Sequence, residues 1–166
     1  VKKFHPEAKP PTHGSEHAAG YDLYCVGGVQ GMDPGQLKIV EDKLPHWPAA
    51  QDDLDSGNFA LYPGKGHLFR TGLAMAIEPG HACYFWDRSG MGAFKEVHRL
   101  AGVIDEDYRG EWLVKLINHS DQIVRIKPGD KIVQGIFQER IECEFSLVAE
   151  LPESTRGAGG FGSTGT

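Results

Sequence analysis

The chain has 166 residues, long enough for one domain with its own hydrophobic core. Its 17 lysines and arginines stand against 23 aspartates and glutamates, a net charge of −6 that excludes the basic face non-specific nucleic-acid binding requires. No apolar run approaches a membrane span and no signal-peptide pattern opens the chain, so neither nucleic acid nor membrane is an expected partner.

In chain order, residues 1–17, with Pro6, Pro10 and Pro11, read as an extended arm. His13 and His17 flank Glu16 there, but without a helix or a third ligand they do not make a zinc site. Strands are predicted over 21–26, 67–77, 81–86, 111–118, 122–126, 131–138 and 142–148, each a short β-branched or aromatic run. Turn signals separate several of them, as at Glu78-Pro-Gly80 and Lys127-Pro-Gly-Asp130. Residues 41–58 interrupt the pattern as a long, acidic, proline-bearing loop, with a helical turn over 48–54 and Trp47 pinning it to the body. No segment keeps a helical period for more than two turns. The expected fold is all-β, an antiparallel jelly-roll-like domain over 18–151 with at most a short helix. Cys25, Cys83 and Cys143, odd in number and widely spaced, read as buried thiols of a reducing cytoplasm (a host's cytoplasm for a viral protein).

The tail, residues 152–166, has a different composition. Glycine-rich from Arg156 onward, it holds no periodic apolar residue and cannot build a core. It can wrap a ligand instead. Backbone N–H groups around Gly160 and Gly162 can form a phosphate nest, and Arg156, Ser163 and Thr164 can donate to phosphate oxygens, while Phe161 lies on a base. A disordered linker is the bland alternative. Three further segments carry chemistry. In Ala101-Gly-Val-Ile-Asp-Glu-Asp-Tyr-Arg-Gly-Glu111, Asp105 follows an apolar pair, where a strand holds the carboxylate rigidly, as a general base needs. Arg88-Ser-Gly90 offers a guanidinium, a hydroxyl and an unobstructed backbone to a phosphate. Gln134 ends the turn-and-strand run that starts at Pro128.

Together and in this order these segments resemble the homotrimeric dUTP pyrophosphatase (dUTPase) family, whose fold is a β-clip. The five motifs are matched by Ala19-Gly-Tyr-Asp-Leu23, Arg88-Ser-Gly90, the run from Gly102 to Gly110, the run from Gly129 to Gln134, and the run from Arg156 to Thr164. The resemblance implies Mg²⁺-dependent hydrolysis of dUTP to dUMP and pyrophosphate, by water attack on the α-phosphorus. It implies that Asp105 is the base, and that Tyr108 packs on the deoxyribose and rejects a 2′-hydroxyl. Uracil would be read by the hairpin containing Arg99, Gly102, Val103 and Ile104. Arg88, Ser89, Gly90 and Gln134 would hold the phosphates, Gln134 also lying near the attacking water, and Asp22 would hold the metal's water shell. A neighbouring subunit would supply Arg156, Gly160, Phe161, Gly162, Ser163 and Thr164.

Some residues depart from the family pattern. Asp87 sets a carboxylate beside Arg88, near the phosphates, and Arg99 is unusual at the hairpin's lip, so a modified pyrimidine nucleotide is an alternative substrate. A dCTP deaminase is the nearest rival, but Lys115 stands where that family expects a glutamate. From another class comes a protein partner at the long loop, met by Trp47 and the acidic run Asp52-Asp53-Leu54-Asp55.

Overall fold

The structure is a computed structural model, and it describes residues 1–28, 52–53 and 58–160. The elements in chain order are β1 (Lys2–Lys3), β2 (Thr12–His13), β3 (Tyr21–Tyr24), β4 (Gly27–Gly28), β5 (Asp52–Asp53), β6 (Asn58–Leu61), β7 (Gly66–Arg70), β8 (Leu73–Ala74) and β9 (His81–Trp86), then α1 (Ser89–Lys95), β10 (Val97–Leu100), β11 (Val103–Ile104), β12 (Leu113–Asn118), β13 (Val124–Ile126) and β14 (Lys131–Glu139). All the ladders are antiparallel. A sheet ordered β11-β9-β14-β3-β2 and another ordered β10-β12-β7-β4 make up most of the body, with β13-β6-β5 beside them. The all-β expectation, with one short helix, holds among the described residues.

Alternation explains the layering. In β12, Val114, Leu116 and Asn118 are buried and the residues between them half-buried, so one face of the strand meets the core. That core gathers Leu23, Phe69, Phe85, Trp112, Leu116 and Ile132. At its edge the buried pair Arg70–Glu111 is closed at 3.0 Å, and Glu111 Oε1 also accepts the Gly72 N–H at 2.7 Å. Gly72, at φ 69°, breaks the long strand expected over 67–77. A Cβ there would lie 2.8 Å from that of Ala8, so the glycine also lets the N-terminal arm dock. The arm is therefore no loose extension: β1 pairs with β8, β2 pairs with β3, and Ala8 is buried against Val26 and Leu73.

Two expectations fail near the C-terminus. Residues 142–148 form no strand, and Phe145 and Leu147 are fully exposed, so the alternating run packs on nothing among the described residues. Among the described residues strand structure ends at Glu139, and Cys143 is exposed, whereas Cys25 and Cys83 are buried as expected. Burial pushes both of those thiols up to about 12. The predicted loop over 41–58, with Trp47 and the helical turn, lies outside the described residues except at Asp52, Asp53 and Asn58; the first two pair with β6 as β5. No helix among the described residues is long and apolar enough to cross a membrane.

Candidate functional site

The order β9-β14-β3 sets Trp86, Gln134 and Asp22 in one row, since Gln134 faces Trp86 on one side and Asp22 on the other. Past Trp86 the chain leaves the sheet. Arg88 keeps extended backbone (φ −79°, ψ 138°) while its carbonyl accepts the Met91 and Gly92 N–H groups at 2.9 Å, and α1 starts. Glu96, in the left-handed region at φ 51°, ends the helix. Ser89 and Gly90 thus stand exposed on its first turn.

Charges converge on this row. Arg88 Nε donates to Asp22 Oδ1 at 2.7 Å, and Lys131 Nζ meets Asp22 Oδ2 at 2.8 Å. Arg88 Nη1 also donates to the Lys131 carbonyl at 3.3 Å. Burial by itself would raise the Asp22 carboxyl, but the hydrogen bonds and charges of Lys131 and Arg88 outweigh it and hold it below its ordinary value. Gln134 Nε2 donates to the Asp87 carbonyl at 2.9 Å.

Asp87 itself corrects an expectation. Its carboxylate is not presented to a phosphate: Oδ1 accepts the Arg99 N–H at 2.8 Å and Oδ2 bonds His98 Nδ1. It therefore ties the Arg88 loop to β10, which leads into the predicted base-reading hairpin. There the Arg99 guanidinium lies 5.5 Å from the Trp86 ring and donates to the Ala101 carbonyl at 3.0 Å. Ala101 sits at φ 63°, a strained position for a residue with a Cβ, and the Arg99 bond helps to hold it. Gly102 follows at φ 116°, and its carbonyl accepts the Phe85 N–H at 2.7 Å. A Cβ on Gly102 would come within 2.8 Å of the Phe85 Cβ, so only glycine lets the hairpin lie this close to β9.

Beyond the turn, Val103 faces Tyr84 and Ile104 faces Cys83. Ile104 points into the core, so its main chain is what a ligand would meet, whereas Val103 is exposed. Asp105 comes next. Its carbonyl accepts the Tyr108 N–H at 3.2 Å, and its exposed carboxylate has no partner among the described residues. The Tyr108 hydroxyl donates to the Glu111 carbonyl at 3.1 Å; burial, and then the Glu111 charge, raise the phenol above its ordinary value. The buried Arg70–Glu111 pair so anchors the far side of the turn.

The structure thus brings Asp22, Arg88, Ser89, Gly90 and Gln134 together, and places Arg99, Gly102, Val103, Ile104, Asp105 and Tyr108 on one hairpin. Arg156 joins neither group: it is exposed and donates from Nε to the Gly159 carbonyl at 2.8 Å, with Gly160 just beyond. Phe161, Gly162, Ser163 and Thr164 lie outside the described residues. Sequence reasoning missed the pairing of Lys131 with Asp22. The available signal was a lysine three positions before Gln134 on the strand that neighbours Asp22.

The dUTPase family model matches residues 53–165. The chain belongs to the dUTPase family. It is similar to the deoxyuridine 5′-triphosphate nucleotidohydrolase of Nautilia profundicola, at 36% identity over 99% of this chain and 96% of that one. The enzyme of the same name from Brucella melitensis is 39% identical over 91% of this chain and 89% of its own. Among solved structures, a Staphylococcus bacteriophage 80alpha dUTPase mutant with dUpNHpp aligns with a TM-score of 0.75 over 99% of this chain and 96% of that one, at 19% identity, a likeness of fold.

The family implies Mg²⁺, and the donor set can be tested against it. No group of three or more His, Cys, Asp or Glu side chains that could hold a metal occurs among the described residues. Mg²⁺ dehydrates reluctantly and takes phosphate oxygens and waters, so one carboxylate beside phosphate-binding cations suffices. Asp22 fits that role, since each of its oxygens keeps a lone pair beyond the bond to Arg88 or Lys131.

Proposed function

We propose that this dUTPase hydrolyses dUTP to dUMP and pyrophosphate, with Asp105 as the general base. The observation that carries the residue assignment is the exposed Asp105 carboxylate, unpartnered among the described residues yet set directly after the buried strand residue Ile104. A base needs an open lone pair and a fixed position, and this site supplies both. Asp105 takes the proton of a water whose oxygen attacks the α-phosphorus. The bond to the oxygen bridging the α- and β-phosphorus then breaks, and pyrophosphate leaves with that oxygen. Arg88 forks onto the phosphates with Ser89 and the Gly90 backbone, and Gln134 orients the water. Asp22 would hold Mg²⁺, which when bound would supply neutralisation of the triphosphate charge.

The base side and the phosphate side belong to different copies of the chain. Ile104 faces Cys83, and β9 runs three residues further to Trp86, roughly 10 Å at a strand rise of about 3.3 Å, before the chain turns away to Arg88. Within one copy Arg88 turns towards β3, where Asp22 holds it, while Asp105 lies beyond the opposite end of the hairpin ladder. A homotrimer that sets one copy's Arg88 cluster against the next copy's hairpin completes the site. The tail from Arg156 to Thr164 then closes over it, with Phe161 on the uracil.

Pyrophosphate release measured with dUTP, UTP, dTTP, dCTP and a 5-substituted dUTP tests this reading. Turnover of dUTP well above the others is expected. Preference for dCTP with ammonia release, or equal use of UTP, overturns it. Removing residues 156–166 should lower turnover far more than the melting temperature, since Arg156 and its neighbours touch no core.

A further inference from the structure

Beside the Arg88 loop lies an open cavity of about 420 Å³ whose lining includes Arg88, Lys95, Arg125 and Lys131, with Asp130 its one carboxylate. For a chain of net charge −6 this is a marked segregation of positive charge. Arg88 and Lys131 share the single carboxylate of Asp22, while Asp130 Oδ2 accepts the Lys127 N–H of its own turn at 3.0 Å. The side chains of Lys95 and Arg125 have neither a hydrogen bond nor an ion pair among the described residues.

These cations sit on regular elements, not on loose loops. Arg125 lies between buried Val124 and Ile126 in β13, so strand alternation turns it outward. Lys95 ends α1, the helix that Arg88 opens. Gly90 leaves the rim clear, since a Cβ there would meet nothing within 4 Å. Several cations around one cavity repel each other until a multivalent anion enters, and lysine ammonium groups suit a phosphate chain that must also leave.

We propose that this cavity is a phosphate-chain subsite in which Lys95, Arg125 and Lys131 receive the pyrophosphate released beyond Arg88. The identity of the ligand rests on the dUTP hydrolysis proposed above; the affinity of the cavity for inorganic pyrophosphate does not. None of the bonds that hold Asp22, Asp87 or Gln134 in place involves the Lys95 or Arg125 side chain, so both can be changed without disturbing them.

The test titrates inorganic pyrophosphate into the full chain by calorimetry, and measures its inhibition of dUTP turnover, for the parent, Lys95→Gln, Arg125→Gln, the double variant and Lys65→Gln as a remote charge control. Each cavity substitution should weaken pyrophosphate binding and inhibition by about tenfold, the double variant more, with the melting temperature unchanged and the control within about twofold. An unchanged pyrophosphate affinity in the double variant, an equal loss in the control, or no pyrophosphate binding by the parent overturns the subsite. If dUTP turnover persists in those cases, the hydrolysis reading stands alone. Conversely, a parent that binds pyrophosphate through Lys95 and Arg125 but does not turn over dUTP upholds the subsite and removes the reading.

Discussion

At its C-terminal end β9 runs into a cluster where the polar side chains are held: Arg88 and Lys131 by Asp22, Gln134 by the Asp87 carbonyl, and the Asp87 carboxylate by Arg99 and His98. Further back, at Cys83, the same strand carries the hairpin whose Asp105 carboxylate stands exposed and unpartnered among the described residues. On the reading proposed above, the difference follows from what each half would do. Phosphate clamps act through position and charge, so fixing them in advance lowers the cost of ordering them on the substrate. A base acts through a free lone pair, and a salt bridge would occupy it. The rigidity of the hairpin therefore comes from its backbone and from Gly102, not from bonds to the reacting group.

Removing the open group is the largest single blow this contrast predicts. Asp105→Asn should lower kcat by about 10²–10⁴-fold, with KM for dUTP and the melting temperature nearly unchanged, because no bond among the described residues depends on that carboxylate. A turnover within tenfold of the parent would remove Asp105 as base. On the held side, Asp22→Ala should do something different. It leaves Arg88 and Lys131 facing each other with no carboxylate between them, so kcat/KM should fall by about 30-fold or more and the melting temperature should fall as well. If the two variants had the same profile, with activity lost and stability kept, the distinction between held and open halves would fail.

How far the sequence disclosed this contrast depends on the range of each signal. Residues 81–86 were legible as a strand because a turn at Pro79-Gly80 and the polar Asp87 bracket six apolar or aromatic positions, and β9 runs His81–Trp86. The position of Asp105 at a strand end was legible because Val103 and Ile104 stand beside it in the chain, and β11 runs Val103–Ile104. The pairing of Asp22 with Arg88 spans 66 positions and that of Asp87 with Arg99 spans 12, so sheet topology creates both and no local pattern reveals them. α1 was not located because seven residues with two glycines carry too little period; its boundaries come from Arg88 and Glu96. Residues 142–148 failed for the converse reason: their alternation specifies a strand without specifying whose edge it joins, and they pair with no strand among the described residues.

Asp87 sharpens the comparison at smaller amplitude, since it touches both halves without reaching a substrate. Asp87→Ala removes the bonds to the Arg99 N–H and to His98, and so loosens β10 beneath Ala101 and Gly102. We expect kcat/KM for dUTP to fall by about tenfold, with discrimination against dCTP and dTTP falling too. Asp87→Asn should recover most of both, because an amide oxygen still accepts the Arg99 N–H. A loss of activity with base discrimination intact would place the role of Asp87 entirely on the phosphate side.

Acid should separate the scaffold from both halves of the site. His67 lies in β7, buried between Phe59 and Phe69, and burial, then the charge of Lys115, bring its imidazole down to about 4. In the unfolded chain the ordinary value of 6.5 applies, so between about 6.5 and 4 the unfolded state binds the proton that the folded state refuses, and stability falls as pH falls. The span corresponds to about 3 kcal/mol at most. Asp22 acts with the same sign but later: its folded value lies below 3.8, so its contribution is present above 3.8 and lost only as pH drops beneath that. Denaturant melts at pH 7.5, 5.5 and 4.5 should therefore show a decline in stability that His67→Phe flattens, while kcat of the folded fraction at pH 5.5 is the same in parent and variant. A decline that His67→Phe leaves untouched would remove His67 as the source of the acid response, and Asp22, which titrates below 3.8, would not account for it over this range.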